Sequence, residues 1–377
     1  MSLQKVTAKE IARQVIDQED LFILDVRNES EFHDWHIEGA SVKIVNKPYF
    51  ELLEGIDSIL DRLPKAQGIL VVCAKEGSSE FVGEMLVDAG YDDVMFMEGG
   101  MKSWSEHLEP VKIGSLSAGG SIYQFVRIGK GCLSYMIESD GEAMIVDASR
   151  QIDAYVNFAE EKGIAIKHVA DTHLHADHIS GGIALREKTG ATYWLPPQDA
   201  DEVTFNFEPF TENSRVALGS GSVSIQPIYT PGHTVGSTSI LIDEHYLLTG
   251  DILFVESIGR PDLAGKAGDW AEDLHETLFG CYQSLSSNLI VLPAHFGKPS
   301  ELNKDGSVQA KLGELYKVND GLQIENESAF KKQVSENLPP QPNAYQDIRE
   351  TNMGKKQPGE EERSEMEIGP NRCAIHD

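Results

Sequence analysis

Two α/β domains in tandem are what this sequence predicts: a parallel sheet with alternating helices, then a layered domain built around two sheets. Three observations carry the prediction. The chain has 377 residues, too many for one ordinary hydrophobic core. Residues 1–110 alternate short apolar runs with amphipathic ones, the pattern of a parallel α/β sheet. After the Gly-containing segment 111–120, predicted to be a linker, strand-like runs joined by Gly turns take over and continue to about residue 335.

The elements follow in order. "TAKEIARQVIDQ" is an amphipathic helix with Thr7 as its N-cap. "LFILDV" and "GILVVC" are short apolar runs that read as buried strands. "SSEFVGEMLVDAG" is a second helix, opened by serines and closed by Gly90. "DVMFMEGG" is another strand and turn. In the second domain (121–335), "SIYQFVRIG", "CLSYMIES" and "EAMIVDAS" are strands, "QIDAYVNFAEEKG" a helix, and "IAIKHVAD" an apolar strand. "VSIQPIYT", "STSILID" and "HYLLTGD" add further strands. Residues 336–377 are polar, with prolines, glycines and a Glu run, and predict an extended or disordered extension whose less polar last ten residues could dock.

Composition narrows the function classes. A net charge of −29 repels phosphate backbones, so nucleic-acid binding is excluded and a solvated acidic surface is expected. No apolar run approaches the ~20 residues of a membrane span, and "MSLQKVTAKEIARQ" lacks an apolar signal core. The four cysteines, Cys73, Cys132, Cys281 and Cys373, are scattered, unlike a secreted disulfide framework, so a reducing cytoplasm is the expected compartment.

The chemistry concentrates at "THLHADHISGG", 172–182, where His173, His175, Asp177 and His178 fall within six positions at a strand end. So many buried polar rings are hard to satisfy side by side unless a metal gathers them. One metal needs further ligands, and three later strands offer them: "TPGHTVGS" with His233, "LLTGDILF" with Asp251, and "IVLPAHFGKP" with His295. Each follows an apolar run and adjoins a Pro or Gly turn. His33, His36, His107, His168, His245, His275 and His376 lack such a setting and read as ordinary core or surface histidines.

In this order, "THLHADH", "TPGH", "TGD" and "PAH" resemble the metallo-β-lactamase superfamily, in particular its glyoxalase II and persulfide dioxygenase branch, over roughly 115–345. The resemblance implies an αββα sandwich with the metal site at one edge. It implies that Asp147 in "MIVDAS" orients a ligand histidine. It also implies that His173, His233 and Asp251 hold one Fe(II) per chain as a two-His, one-carboxylate triad. The same seven positions, with His175, Asp177, His178 and His295, equally permit a two-zinc thioester hydrolase. "ESIGRPDLAG" resembles the dioxygenase branch, in which Arg260 would pair with a substrate carboxylate or orient an acid, with Asp262 as partner; a structural Arg–Asp pair is the plainer alternative.

"LFILDVRNESEFHDWHIEGA" and "MEGGMKSW" resemble the two rhodanese signatures, over about 4–108, and between them lies "VVCAKEGSSEF". The resemblance makes Cys73 the sulfur-carrying residue and Ala74, Lys75, Glu76, Gly77, Ser78 and Ser79 the loop that cradles its persulfide. Loop N–H groups and a helix N-terminus stabilise such an anion. The loop departs from many in the family: Ser78 and Ser79 stand where an arginine is common, and Glu76 opposes an anion. Together the two resemblances imply a fusion that oxidises a low-molecular-weight thiol persulfide with O2 to sulfite, with a homodimer as a candidate assembly. A zinc-dependent thioester hydrolase and a non-catalytic persulfide carrier are the alternatives.

Overall fold

The structure, a computed structural model, describes residues 2–117, 119–221, 223–261, 267–335 and 344–371, with backbone alone for 267–269. Asp262, Cys373 and His376 lie outside the described residues.

The first domain is a five-stranded parallel sheet of β1 (Gln4–Val6), β2 (Leu21–Asp25), β3 (Val42–Asn46), β4 (Ile69–Val72) and β5 (Val94–Met97), ordered β1-β5-β4-β2-β3. Helices α1 (Ala8–Ile16), α2 (Glu29–Asp34), α3 (Gly77–Asp88) and α4 (Gly100–Glu106) complete it. Thr7 caps α1 through a reciprocal pair with Glu10, a device worth about 1 kcal/mol. Strand residues alternate between two cores. Ile23, Leu70 and Val72 pack toward α1 and α4, whereas Leu24, Ile69 and Val71 pack with Val82 and Leu86 of α3. Arg27 clasps both Asp25 oxygens at 2.6–3.1 Å and donates to the Trp35 carbonyl at 2.7 Å, tying β2 to the turn after α2.

The second domain is a sandwich. One sheet holds β6 (Glu109–Ser115), β7 (Ser121–Arg127), β8 (Cys132–Ser139), β9 (Glu142–Val146), β10 (Ala165–Ala170), β11 (Thr192–Leu195) and β12 (Glu208–Pro209). The other holds β13 (Ile225–Tyr229), β14 (Thr238–Ile242), β15 (Tyr246–Gly250), β16 (Ile290–Pro293) and β17 (Ala310–Lys311). The core between them comes from alternate residues of both sheets, such as Leu133, Tyr135 and Ile137 of β8 against Ile240, Ile242 and Leu248. α5 (Ile152–Lys162) and α6 (Gly182–Thr189) cover the first sheet's outer face, and α7 (Ala267–His275), α8 (Leu312–Val318) and α9 (Glu327–Ser335) cover the second's. The layers are therefore αββα.

Two segments differ from the sequence expectation. The predicted linker 111–120 supplies most of β6, which pairs antiparallel with β7 along its length. Its residues are only partly buried, so their apolar period was weak, and pairing rather than propensity makes the strand. The extension is also folded where described. It forms α10 (Tyr345–Asn352) and α11 (Glu360–Glu367), anchored by buried Ile348, Asn352, Met353 and Glu367. α11 is polar because its key partners are charges: Glu367 is fully buried among Arg127, Arg150 and Lys130.

Candidate metal centre and persulfide loop

Five strands deliver the site. β9 and β10 run parallel, as do β15 and β16, and β13 shares the direction of β15 across β14. Their C-terminal ends therefore project Asp147, the loop 171–178, His233, Asp251 and His295 toward one edge, where the histidines and aspartates are all at most 2% exposed.

The donor atoms fall into distinct groups, within each of which they lie within 4.8 Å of one another: His173, His233 and Asp251; Cys132, Asp177, His178 and His295; and Asp147, Asp171 and His175. His233 Nδ1 donates to the Arg260 carbonyl at 3.0 Å, which turns Nε2 toward Asp251 Oδ2 at 3.4 Å. His175 Nε2 is held by Asp147 Oδ1 at 3.0 Å, leaving Nδ1 for a ligand. Asp147 occupies the left-handed region (φ 54°) and also accepts from Thr172 N at 2.7 Å, so it shapes the loop as well as the ring.

The charges suit a cation. Burial, reinforced by His175, holds His173 well below the usual imidazole range, and burial lowers His233 as well. Both rings are then neutral donors. Burial alone would raise Asp251 and Asp177, but His295 beside Asp251, and His178 and His295 beside Asp177, hold both carboxyls low. His295 is the converse: burial opposes its charge, yet Asp251 and Asp177 keep it protonated well above the ordinary range. His175, likewise buried, is pushed up to about 9 by Asp147. The residues fit a metal on one further observation. His175 Nδ1, His178 Nε2, Asp251 Oδ2 and His295 Nε2 are buried without a hydrogen-bond partner among the described residues. Each unpaired group costs about 1–3 kcal/mol, which a bound cation would offset.

Sequence reading missed the residues that lock this edge. Half-buried Asp199 accepts from Leu174 N (3.0 Å), Thr234 Oγ1 (2.7 Å) and Gly236 N (2.7 Å), joining the His173 loop to the His233 turn. Asn352 of α10 donates to the carbonyls of His175 and His178, both at 2.9 Å, and accepts from Ser180 N. Glu367 accepts from Ile179 N at 2.6 Å. In the "TPGH" turn, Gly232 sits at φ 146°, and a Cβ there would lie 2.5 Å from Leu274 Cα, so glycine lets α7 close on the turn.

A cavity of about 390 Å³ reaches His233, lined by Leu174, Trp270, Tyr345, Arg349 and Met353 among others. Arg260 is 1% exposed and does not line this cavity; its carbonyl accepts from His233.

Cys73 follows β4 and precedes α3, its Sγ 3.3 Å from Ser79 Oγ. Glu76, expected to oppose an anion, faces away: it pairs with Lys5 at 2.7 Å and accepts from Gly99 N at 3.1 Å. Gly100 (φ 58°) lies so near that a Cβ would meet the Cys73 and Lys75 carbonyls at 2.3–2.4 Å, which explains the paired glycines of "MEGG".

Fold and site together define an αββα sandwich with a candidate metal centre at one edge, preceded by a parallel α/β domain that carries a cysteine loop. The metallo-beta-lactamase superfamily description matches residues 127–280 and the rhodanese-like domain description residues 7–107. The chain belongs to the metallo-beta-lactamase superfamily and carries an N-terminal rhodanese-like domain. It is 32% identical over 201 residues to a hydroxyacylglutathione hydrolase of Anaeromyxobacter dehalogenans, covering 52% of this chain and 75% of that one. It is 28% identical over 170 residues to the mitochondrial persulfide dioxygenase ETHE1 of Bos taurus, covering 41% and 59%. The crystal structure of ETHE1 from Myxococcus xanthus shares the fold, with a TM-score of 0.55 at 24% identity, covering 62% and 99%.

Proposed function

We propose that this protein is a persulfide dioxygenase fused to a sulfurtransferase. It would convert a low-molecular-weight thiol persulfide, O2 and water to the thiol and sulfite. The observation that carries this reading is the separate two-His, one-carboxylate group of His173, His233 and Asp251, with His233 at the floor of the cavity. Iron(II) held by that group would supply the one-electron redox chemistry that dioxygen requires.

The chain's own residues do the rest. The Arg260 carbonyl fixes the His233 tautomer, and Asp199 holds the His233 turn against the His173 loop. Trp270 and Met353 give the cavity an apolar side, while Gln198, Asp201 and Glu202 make the rest of its wall polar. Arg349 is the cavity's cation, close enough to Glu202 to help hold that carboxyl low, and it would bind the anionic end of the carrier thiol. Cys73 would carry the sulfane sulfur within its loop. A second reading, a zinc-dependent thioester hydrolase, is favoured by the neighbouring Asp177, His178 and His295. Metal analysis of protein purified without oxygen, followed by oxygen uptake with thiol persulfides and turnover of S-lactoylglutathione, decides between them. Iron with persulfide-dependent uptake supports the first, and zinc with thioester turnover overturns it.

A further inference from the structure

Cys73 is 6% exposed at the head of its loop, yet the surface beside it is apolar. Eight large apolar side chains are exposed among the described residues, and four of them, Tyr49, Phe50, Leu53 and Phe81, come from two segments of the first domain. Phe81 lies two positions beyond Ser79 on α3, the helix that opens from the loop. The short helical turn Tyr49–Glu51 packs on α3. Leu52, Val82 and Cys73 share one buried cluster, so the outward neighbours of Leu52 and Val82 flank the loop. These four side chains are 39–55% exposed, and their concentration beside a nucleophile marks a contact surface.

The border of this surface is acidic. Glu51 and Glu54 adjoin Phe50 and Leu53, while Glu80 and Glu84 lie beside Phe81 on α3, and all four are exposed. The nearby cations are matched: Lys47 pairs with Glu51, and Lys75 of the loop lies 3.8 Å from Glu361. A second copy of the chain would set acid against acid, on top of a net charge of −29. A small thiol persulfide is too small to cover both segments. The occupant that fits is a protein with an apolar centre and a basic rim.

We propose that this surface docks a basic protein that bears a persulfide on an exposed cysteine and hands its outer sulfur to Cys73. The proposal rests on Cys73 as a sulfur carrier and adds the class of its donor. The Cys73 thiolate attacks the outer sulfur, and the new S–S bond forms as the donor's S–S bond breaks. The donor leaves as a thiolate and takes up the proton that Cys73 gave up. One persulfide and one thiol enter and one of each leaves, so no oxidant is consumed. The apolar side chains keep water from the exchange, and the acidic border steers the donor. Transient redox contacts of this kind are small, below about 1,200 Å².

The test uses the full chain without oxygen and two short synthetic peptides, each with one cysteine between leucines, flanked by lysines in one and by glutamates in the other. Fluorescence anisotropy of the labelled thiol peptides reads binding in a C73S background. The lysine peptide is expected to bind at least about 10-fold more tightly than the glutamate peptide, and F50S/L53S/F81S to lose at least about 10-fold of that affinity. E80K/E84K should reverse the preference. With Cys73 present, mass spectrometry should show the persulfidated lysine peptide loading the wild type at least about 10-fold faster than F50S/L53S/F81S, while glutathione persulfide loads both at the same rate. Equal affinity for the two peptides, or equal loading of wild type and triple variant by the lysine peptide, overturns the proposal. A dimer in sedimentation that the triple variant abolishes also overturns it, because the surface then covers a second copy. Normal loading by glutathione persulfide alongside either result leaves the carrier reading standing. Failure of every donor to load Cys73 sinks the carrier reading and this proposal together.

Discussion

At the scale of the residue, two side chains test the proposed substrate binding and the proposed sulfur carriage separately. Arg349 faces the cavity, and a charge-assisted bond to an anionic carrier thiol is worth about 1.5–3 kcal/mol. R349Q is therefore expected to raise KM for a carboxylate-bearing thiol persulfide about 10- to 100-fold while kcat holds. R349K should recover part of the loss, and an unchanged KM would show that the carrier binds elsewhere. Cys73 sits in its loop with Ser79 at 3.3 Å and with Glu76 neutralised by Lys5. Intact-protein mass spectrometry after exposure to thiol persulfide should show one added sulfur atom in the wild type and none in C73S; a gain that persists in C73S places the sulfur on another cysteine. The candidate ligand residues could be picked out in the sequence because each follows an apolar strand at a Pro or Gly turn. Cys132 could not, since its partner Asp177 lies 45 positions away with no shared motif.

At the scale of the element, α10 acts as a clamp on the metal loop. Asn352 satisfies two loop carbonyls and one N–H, and its replacement by alanine strands all three in a buried setting. N352A is expected to cost about 1–3 kcal/mol in denaturant unfolding and to weaken metal retention about 10- to 100-fold. Equal metal content after dialysis would reduce α10 to a surface helix. Nothing in the polar text of 345–352 announces this role. Its buried stripe is short, and the carbonyls it serves lie 174–177 positions earlier.

At the scale of the whole molecule, Glu367 joins the parts. It receives Arg127 at 3.0 Å, Arg150 at 2.7 Å and Ile179 N at 2.6 Å, while Arg150 also holds Glu106 of the first domain at 2.7 Å. Burial opposes ionisation of this carboxyl, but Arg127, Arg150 and Lys130 hold it down to about 2. Its folded value lies below its unfolded one, so its stabilisation is complete above about pH 4.5 and is lost as pH falls toward about 2. E367Q should flatten that acid limb of the stability curve and lower stability at pH 7, since it leaves buried guanidinium groups without their charge partner. Parallel curves for E367Q and wild type between pH 5 and 2 would refute the linkage. Truncation after residue 335 removes both clamps and is expected to lower the melting temperature and the metal content together.

The sequence by itself determined the two-domain α/β order, the period-2 strands, the Thr7 cap, the Cys73 loop and the strand ends that carry His173, His233, Asp251 and His295. These are local properties: apolar period, turn chemistry and capping act over a few neighbouring residues. Only the tertiary structure decided that 111–115 pairs as a strand, that the polar extension folds, and that Cys132, Asp199, Asn352 and Glu367 meet the metal edge. A buried polar side chain is defined by its partners, and for Glu367 these stand up to 240 positions away, beyond the reach of any local pattern.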